Sequence, residues 1–281
     1  MFRRSVAALA LLLGAGLPVS VVSVDAAEPP STGLNDWACR PSAAHPRPVV
    51  LLHGLGSNAE QHWALHGSAV ASAGYCVFAL TYGANRLGMG GDGRVDALAK
   101  EIAAFVDRVL RATHSRKVDL VGHSLGGFMS LYVTKVSGYA AKVGRVVAMA
   151  PPTHGTTLLG ALGLAGALGV RPATDAALRA ACPACADLVE GGPAVVRLGD
   201  GPITQRGVRY TIIASRYDLV VTPSSRGFIR ERRVRNYHVQ DRCPLDPVGH
   251  FGFGMDTGAT SMILNGLDPT VPVRCGFGPP V

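Results

Sequence analysis

Ser124 is the residue in this sequence best placed for nucleophilic chemistry. It sits at the centre of Gly122-His123-Ser124-Leu125-Gly126, a G-x-S-x-G pattern of the kind that forms a nucleophile elbow between a strand and a helix. The flanks suit such a turn. Residues 117–121, KVDLV, read as a buried strand, and residues 126–136 as a helix bearing Phe128, Met129, Tyr132, Val133 and Val136. A strand that turns at once into a helix crowds its own backbone. Gly122 and Gly126 keep Cβ atoms out of that crowding, so Ser124 can hold a strained conformation at the tip. Its hydroxyl then stands clear of the sheet, and a negative intermediate would form at a helix N-terminus.

A serine hydroxyl is a poor nucleophile at neutral pH. It needs a base within hydrogen-bond reach and a group that orients the base. After an elbow of this type the acid and the histidine follow in that order. Asp218 comes just after a predicted strand, GVRYTIIA at 207–214. His250 lies in the loop beyond another, VRNYHV at 234–239. His238 competes as base but falls within that strand, which suits a structural role. Asp200, Asp241 and Asp246 compete as acid. Asp200 precedes its strand, and Asp241 and Asp246 lie close enough to His250 to shape its loop.

A developing oxyanion needs fixed donors. Residues 48–52, PVVLL, read as a strand that runs into His53-Gly54-Leu55-Gly56-Ser57-Asn58. Glycines after a buried strand permit a tight turn and expose backbone N–H groups. The expected donors are the N–H groups of Leu55 and Leu125, each contributing about 3 kcal/mol to the tetrahedral step. His53 could fix that loop through its ring, while His123 should point away from Ser124. None of the nine histidines forms an H-E-x-x-H cluster, so neither a metal nor a cofactor is required.

These residues need a framework. Predicted strands at 48–52, 75–80, 117–121 and 142–149 alternate with predicted helices at 58–73, 94–112 and 126–136. The second helix carries a broad apolar stripe through Val95, Leu98, Ile102, Phe105, Val106, Val109 and Leu110. The alternation predicts an α/β fold, with a mostly parallel central sheet and helices on both faces. Catalytic loops then lie at the carboxyl ends of the strands. The glycine-rich residues 81–93 either line the site entrance or turn at the surface, and they lack the spacing of a dinucleotide loop. Residues 150–200 break the rhythm, with an apolar run at 158–170. They predict a cap-like insertion, about 151–204, built of short helices. Leu158, Leu159, Leu162 and, from the elbow helix, Phe128 are the candidates to line the substrate. Glycines in the run leave room for movement. A helix from residue 257 and a Pro- and Gly-rich tail at 268–281 complete the chain.

Composition sets further bounds. Residues 1–26 have the three parts of a secretory signal: Arg3 and Arg4, an apolar stretch at 6–22, and small residues near a cleavage point. The remaining 27–281 suit one large domain. Losing Arg3, Arg4 and Asp25 lowers the net charge by one from +8. Arg226, Arg230, Arg232, Arg233 and Arg235 cluster, which a solvated edge explains most simply. Nucleic-acid binding would want a denser patch with aromatic interleaving. The expected state is a monomer, secreted or associated with the cell envelope, that meets a lipid or other hydrophobic ester, with a lipid–water interface as a further expected partner. Six cysteines in an exported chain favour disulfides. Fifteen pairings are open, and Cys39–Cys76, Cys243–Cys275 and a local Cys182–Cys185 pair are the expectation.

Together these segments resemble a known family. They are NDWAC at 35–39, VVLLHGLGSNAEQHW at 49–63, GYCVFALTYG at 74–83, VDLVGHSLGG at 118–127, PPTHGTT at 151–157, SRYDLVVTP at 215–223 and DPVGHFGFGMD at 246–256. The chain resembles secreted actinobacterial triacylglycerol lipases of the alpha/beta-hydrolase superfamily, in the class 2 (EstB-like) group. The resemblance covers residues 35–268. It implies the alpha/beta-hydrolase fold, a lipid-ester hydrolase, the triad Ser124, Asp218 and His250, oxyanion donors at Leu55 and Leu125, secretion and disulfides. It does not fix acyl chain length. Acyl transfer to an alcohol, short-chain ester hydrolysis and a non-catalytic binding role are the alternatives.

Overall fold

The computed structural model describes residues 33–157 and 161–281. The expected export segment and the candidate lining residues Leu158 and Leu159 lie outside them. Six strands form one sheet: β1 (Val49–Leu52), β2 (Val77–Leu80), β3 (Val118–His123), β4 (Val143–Met149), β5 (Arg209–Ala214) and β6 (Val234–His238), in the order β2-β1-β3-β4-β5-β6. All neighbouring pairs run parallel. β1 is apolar at every position and wholly buried, because helices cover both faces of the sheet.

The period of two along a strand sorts the core into two layers. Val50, Leu52 and Leu120 face α2 (Val95–Thr113) and α3 (Leu125–Lys135). Val49, Leu51 and Val121 face α1 (Ala59–Ser72) and a later helix at residues 257–267. The predicted stripe on α2 is the face it buries. α1 starts where Asn58 accepts a hydrogen bond from Gln61 N at 2.9 Å, a side-chain cap that satisfies one of the helix's free donors.

Beyond β4 the chain leaves the sheet for α4 (Ala161–Ala167), α5 (Arg171–Ala181), α6 (Pro183–Leu188) and α7 (Pro193–Gly199) before β5. α6 and α7 pack through Ala184, Leu188, Ala194 and Leu198 onto the α2–α3 layer. α5 buries no residue. The chain then closes with the short α8 (Val239–Arg242) and α9 (Thr257–Leu267).

Disulfides join Cys39 to Cys76, Cys182 to Cys185 and Cys243 to Cys275. The first fastens the N-terminal arm to the approach to β2. Trp37 anchors the same arm, its ring 4.9 Å from that of Phe78 and under the Arg108 guanidinium at 3.9 Å. Asn35 adds paired hydrogen bonds to the backbone N–H and C=O of Ala79 at 2.9 and 3.0 Å.

Candidate active site

Ser124 occupies the turn between β3 and α3 with φ 54° and ψ −121°. That region costs a non-glycine residue roughly 1–3 kcal/mol and is held only when the surroundings enforce it. Here they do. Ser124 N–H donates to Met149 O at 2.8 Å. A Cβ on Gly122 would lie 2.2 Å from Gly126 O, and one on Gly126 would lie 1.9 Å from Leu52 O. Both glycines are therefore required by the close approach of backbone to backbone.

His250 and Asp218 converge on this serine from two other loops. Ser124 Oγ and His250 Nε2 are 2.8 Å apart, and His250 Nδ1 is 2.8 Å from Asp218 Oδ2. A carboxylate can only accept, so Nδ1 carries the proton and Nε2 is left to accept from the serine hydroxyl. Asp218 Oδ1 is held in turn by the N–H groups of Val220 and Val221, both at 2.8 Å. The side chains of His250 and Asp218 are 3% and 1% exposed. Water therefore competes little for these bonds.

The competing residues are engaged elsewhere. Asp241 pairs with Arg216 and caps α8. His238 bonds Ser224 at 3.1 Å. Asp200 lies exposed at the end of α7. Asp246 is buried and accepts from Val248 N and Gly278 N, both at 3.1 Å.

The loop of residues 53–58 comes up beside the serine. A Cβ on Gly54 would lie 3.4 Å from the Ser124 Cβ, and one on Gly91 would lie 3.1 Å from Leu55 Cα and 2.9 Å from Leu125 Cδ2. Leu55 and Leu125 thus both pack against Gly91. His53 braces the loop: its Nδ1 donates to Gly54 O at 2.7 Å, and its ring stacks on Tyr82 at 4.4 Å. Tyr82 O–H donates to His53 O at 2.5 Å. Residues 81–93 serve as a second brace. Gly56 N–H donates to Gly90 O at 2.9 Å, and Gly90 N–H donates to Ser57 O at 2.6 Å. A side chain at Gly90 would strike the His53 ring at 2.5 Å.

Behind the triad lies a stack of imidazoles. The His123 ring is 5.0 Å from that of His250 and 5.0 Å from that of His62. Burial pushes His123 well below the ordinary histidine range. Burial likewise lowers His62 to about 3, helped by neighbouring histidines. His66, bonded to Thr260 and to Phe253 O, is lowered by burial to about 4. These rings are neutral at physiological pH and place no positive charge behind His250.

One expectation about substrate lining needs correction. Phe128 is wholly buried in the core with its ring 5.9 Å from that of Tyr132. It belongs to the cluster that holds Val50, Leu52 and Leu120 of the sheet and the apolar stripe of α2, so it packs between sheet and helices. Leu162 belongs to α4. Leu55, Tyr217, Leu219, Phe251 and Met255 are large apolar side chains exposed on the loops around Ser124, Asp218 and His250. The cap-like segment adds Leu164, Leu168 and Val170.

Sequence reasoning also missed what holds the histidine loop. Gly249 N–H donates to Pro279 O at 3.0 Å, and Gly252 N–H donates to Val281 O at 2.8 Å. The last residues of the chain thus strap both sides of His250, with Cys243–Cys275 holding the tail near its start. Gln240 Nε2 donates to Asp246 O at 2.9 Å, and Ser215 Oγ donates to Val248 O. Such backbone pairings leave no side-chain pattern to read.

A serine on a strand–helix turn, with an acid and a histidine supplied by later loops of a parallel sheet, defines a class. The alpha/beta hydrolase family matches residues 49–277, and the chain belongs to it. Among characterised proteins it is similar to triacylglycerol lipases of Pseudarthrobacter phenanthrenivorans and Burkholderia plantarii. Each is 37% identical over 100 residues, a match spanning 34% of this chain and 30% and 27% of those proteins. The chain thus matches less than a third of the length of either. Among solved structures, Aspergillus fumigatus lipase B aligns with TM-score 0.60 at 19% identity, over 83% of this chain and 54% of that one. That likeness is one of fold.

Proposed function

We propose that this chain is a serine carboxylic-ester hydrolase for esters with hydrophobic acyl groups, working through an acyl-serine. The reading rests on one observation above the others: Asp218, His250 and Ser124 form a continuous hydrogen-bonded line ending on a serine held in the elbow conformation. In the first step Ser124 Oγ attacks the ester carbonyl while His250 Nε2 takes its proton. The N–H groups of Leu55 and Leu125 hold the oxyanion. The alcohol leaves with the proton from Nε2, and water, deprotonated by the same nitrogen, frees the acid. Asp218 keeps the ring in the productive tautomer throughout.

The apolar side chains exposed on loops 53–58, 215–223 and 250–256 support a hydrophobic substrate. Each CH₂ they bury adds about 0.8 kcal/mol of binding. Residues 151–204 act as the cap over this surface. The similarity to triacylglycerol lipases favours lipid esters within this class. The finer placement among secreted, class 2 actinobacterial lipases belongs to the same proposal, and three disulfides suit an oxidising location.

Rates on p-nitrophenyl esters of increasing chain length, followed by emulsified triglyceride, test the reading. Activity that extends to long acyl chains and the emulsion is the expected result. Hydrolysis confined to acetate and butyrate would overturn the lipid assignment, and no hydrolysis of any ester would overturn the whole.

A further inference from the structure

The amino ends of the central strands, opposite the triad, carry a different surface. A cavity of about 750 Å³ opens there beside Arg145, Arg209, Arg233 and Arg235. It adjoins a second of about 340 Å³ that shares Arg145 and Arg209 and adds Arg47 and Lys117. Six cationic side chains therefore line this hollow of two adjoining cavities, and among the described residues no carboxylate lines either part. Two of the five clustered arginines noted in the sequence, Arg233 and Arg235, belong to it. Arg226 does not: it turns the other way to pair with Glu190 at 2.5 Å.

The local charges do not balance. Asp119 is buried and bonded to Arg47 at 2.7 Å. Asp268 spends its Oδ1 on the N–H and hydroxyl of Thr270, at 3.0 and 2.9 Å. Arg235 is held by Thr211 and Asn265, and Lys117 by Val143 O at 3.1 Å. Among the described residues neither Arg209 nor Arg233 joins an ion pair. Arg145 is half-buried, and its Nε, shut off from solvent, has no partner among the described residues. Burial lowers its affinity for a proton, the charge of Asp119 raises it, and the nearby positive charges of Arg47 and Arg209 lower it. A buried donor without a partner and like charges held side by side both cost stability. An anion seated in the hollow would relieve the second of these costs.

We propose that this hollow is a binding site for a ligand carrying several phosphate groups. Arginine forks match phosphate oxygens in pairs, and the number of unpaired cations asks for more than one negative charge. β3 runs from Val118 at this end to His123 beside Ser124, about 17 Å at roughly 3.3 Å per residue. A ligand here leaves the triad free.

The test uses the full chain and needs no turnover, so it is independent of the ester-hydrolase reading. Titration calorimetry with tripolyphosphate and flotation with phosphatidylglycerol vesicles, each at low ionic strength, form its two arms. The exposed pair Arg209→Gln/Arg233→Gln is compared with Lys100→Gln/Arg111→Gln, which removes equal charge from the exposed face of α2. A third variant, Arg145→Gln, probes the half-buried donor. Saturable binding that weakens at least tenfold in the first variant but not in the control supports the site. The arm in which this happens names the source of the phosphate. Binding lost equally in the control, or absent in both arms, overturns the proposal. Hydrolysis of a soluble ester should be unchanged in every variant.

Discussion

The loop that carries His250 and the segment that follows β4 both stand at the carboxyl ends of the strands, and they are held in opposite ways. Residues 246–256 are tied down on every side. The C-terminal tail accepts from Gly249 and Gly252, Ser215 and Gln240 grip Val248 and Asp246, and Asp256 caps α9 through Gly258 N at 2.6 Å. In residues 161–181, by contrast, α5 buries nothing, and Leu164 and Leu168 stand exposed. Few interior contacts mean a low free energy for local opening. Under the proposed function the difference separates two tasks. The chemistry needs an imidazole fixed to within tenths of an ångström, whereas selection among acyl chains needs an apolar surface that can adapt.

Breaking the rigid side should give the largest effects. Ser124→Ala removes the nucleophile and should lower kcat by about 10⁴-fold or more while the thermal transition stays in place. Asp218→Asn should cost about 10²–10⁴-fold, less than Ser124→Ala, because an asparagine can present N–H to Nδ1 and stabilise the wrong tautomer. A near-normal rate in that variant, read in the same ester assay, would move the acid role to Asp241 or Asp246. Deleting residues 279–281 removes the acceptors for Gly249 and Gly252. It should lower kcat by about 10- to 100-fold with KM little changed, which steady-state kinetics on a soluble ester would resolve.

The adaptable side should respond differently. Leu164→Ser with Leu168→Ser should raise KM for a long-chain ester by roughly 3- to 10-fold and leave the acetate ester unaffected. A fall in kcat on both esters would mean that the segment supports the triad rather than the acyl chain.

The smallest expected effect concerns stability. Burial, with the charge of Asp246, raises Asp256 from 3.8 to about 6. The native state therefore holds a proton that the unfolded state has released, and the matching stability is full below pH 3.8 and lost as pH rises through about 6. Asp256→Asn cannot titrate and keeps the cap on Gly258. It should flatten that part of the stability profile and add about 1 kcal/mol above pH 7, measurable by urea unfolding across pH.

Much of this could be read before the fold was known, for reasons that differ by residue. The strands show as short apolar runs and the elbow as two glycines around a serine, because steric needs leave few residue types that fit. Asp218 and His250 were reachable from chain order, since loops after successive parallel strands meet at one end. Phe128 misled because apolar character alone does not tell a core face from a pocket wall. The tail strap, the bracing of residues 53–58 by Gly90 and Tyr82, and the stack of His62, His123 and His250 depend on contacts between distant parts of the chain. The arginine hollow was half visible: Arg233 and Arg235 stood out as a cluster, but only the sheet brings Arg47, Lys117, Arg145 and Arg209 to their side.

The central claim is that Ser124 becomes covalently acylated. Mass spectrometry of the folded protein after reaction with an alkyl organophosphonate tests it directly. The account predicts one adduct, on the peptide containing Ser124, that disappears in His250→Ala. An adduct on another residue, or none while the protein remains folded, would contradict it.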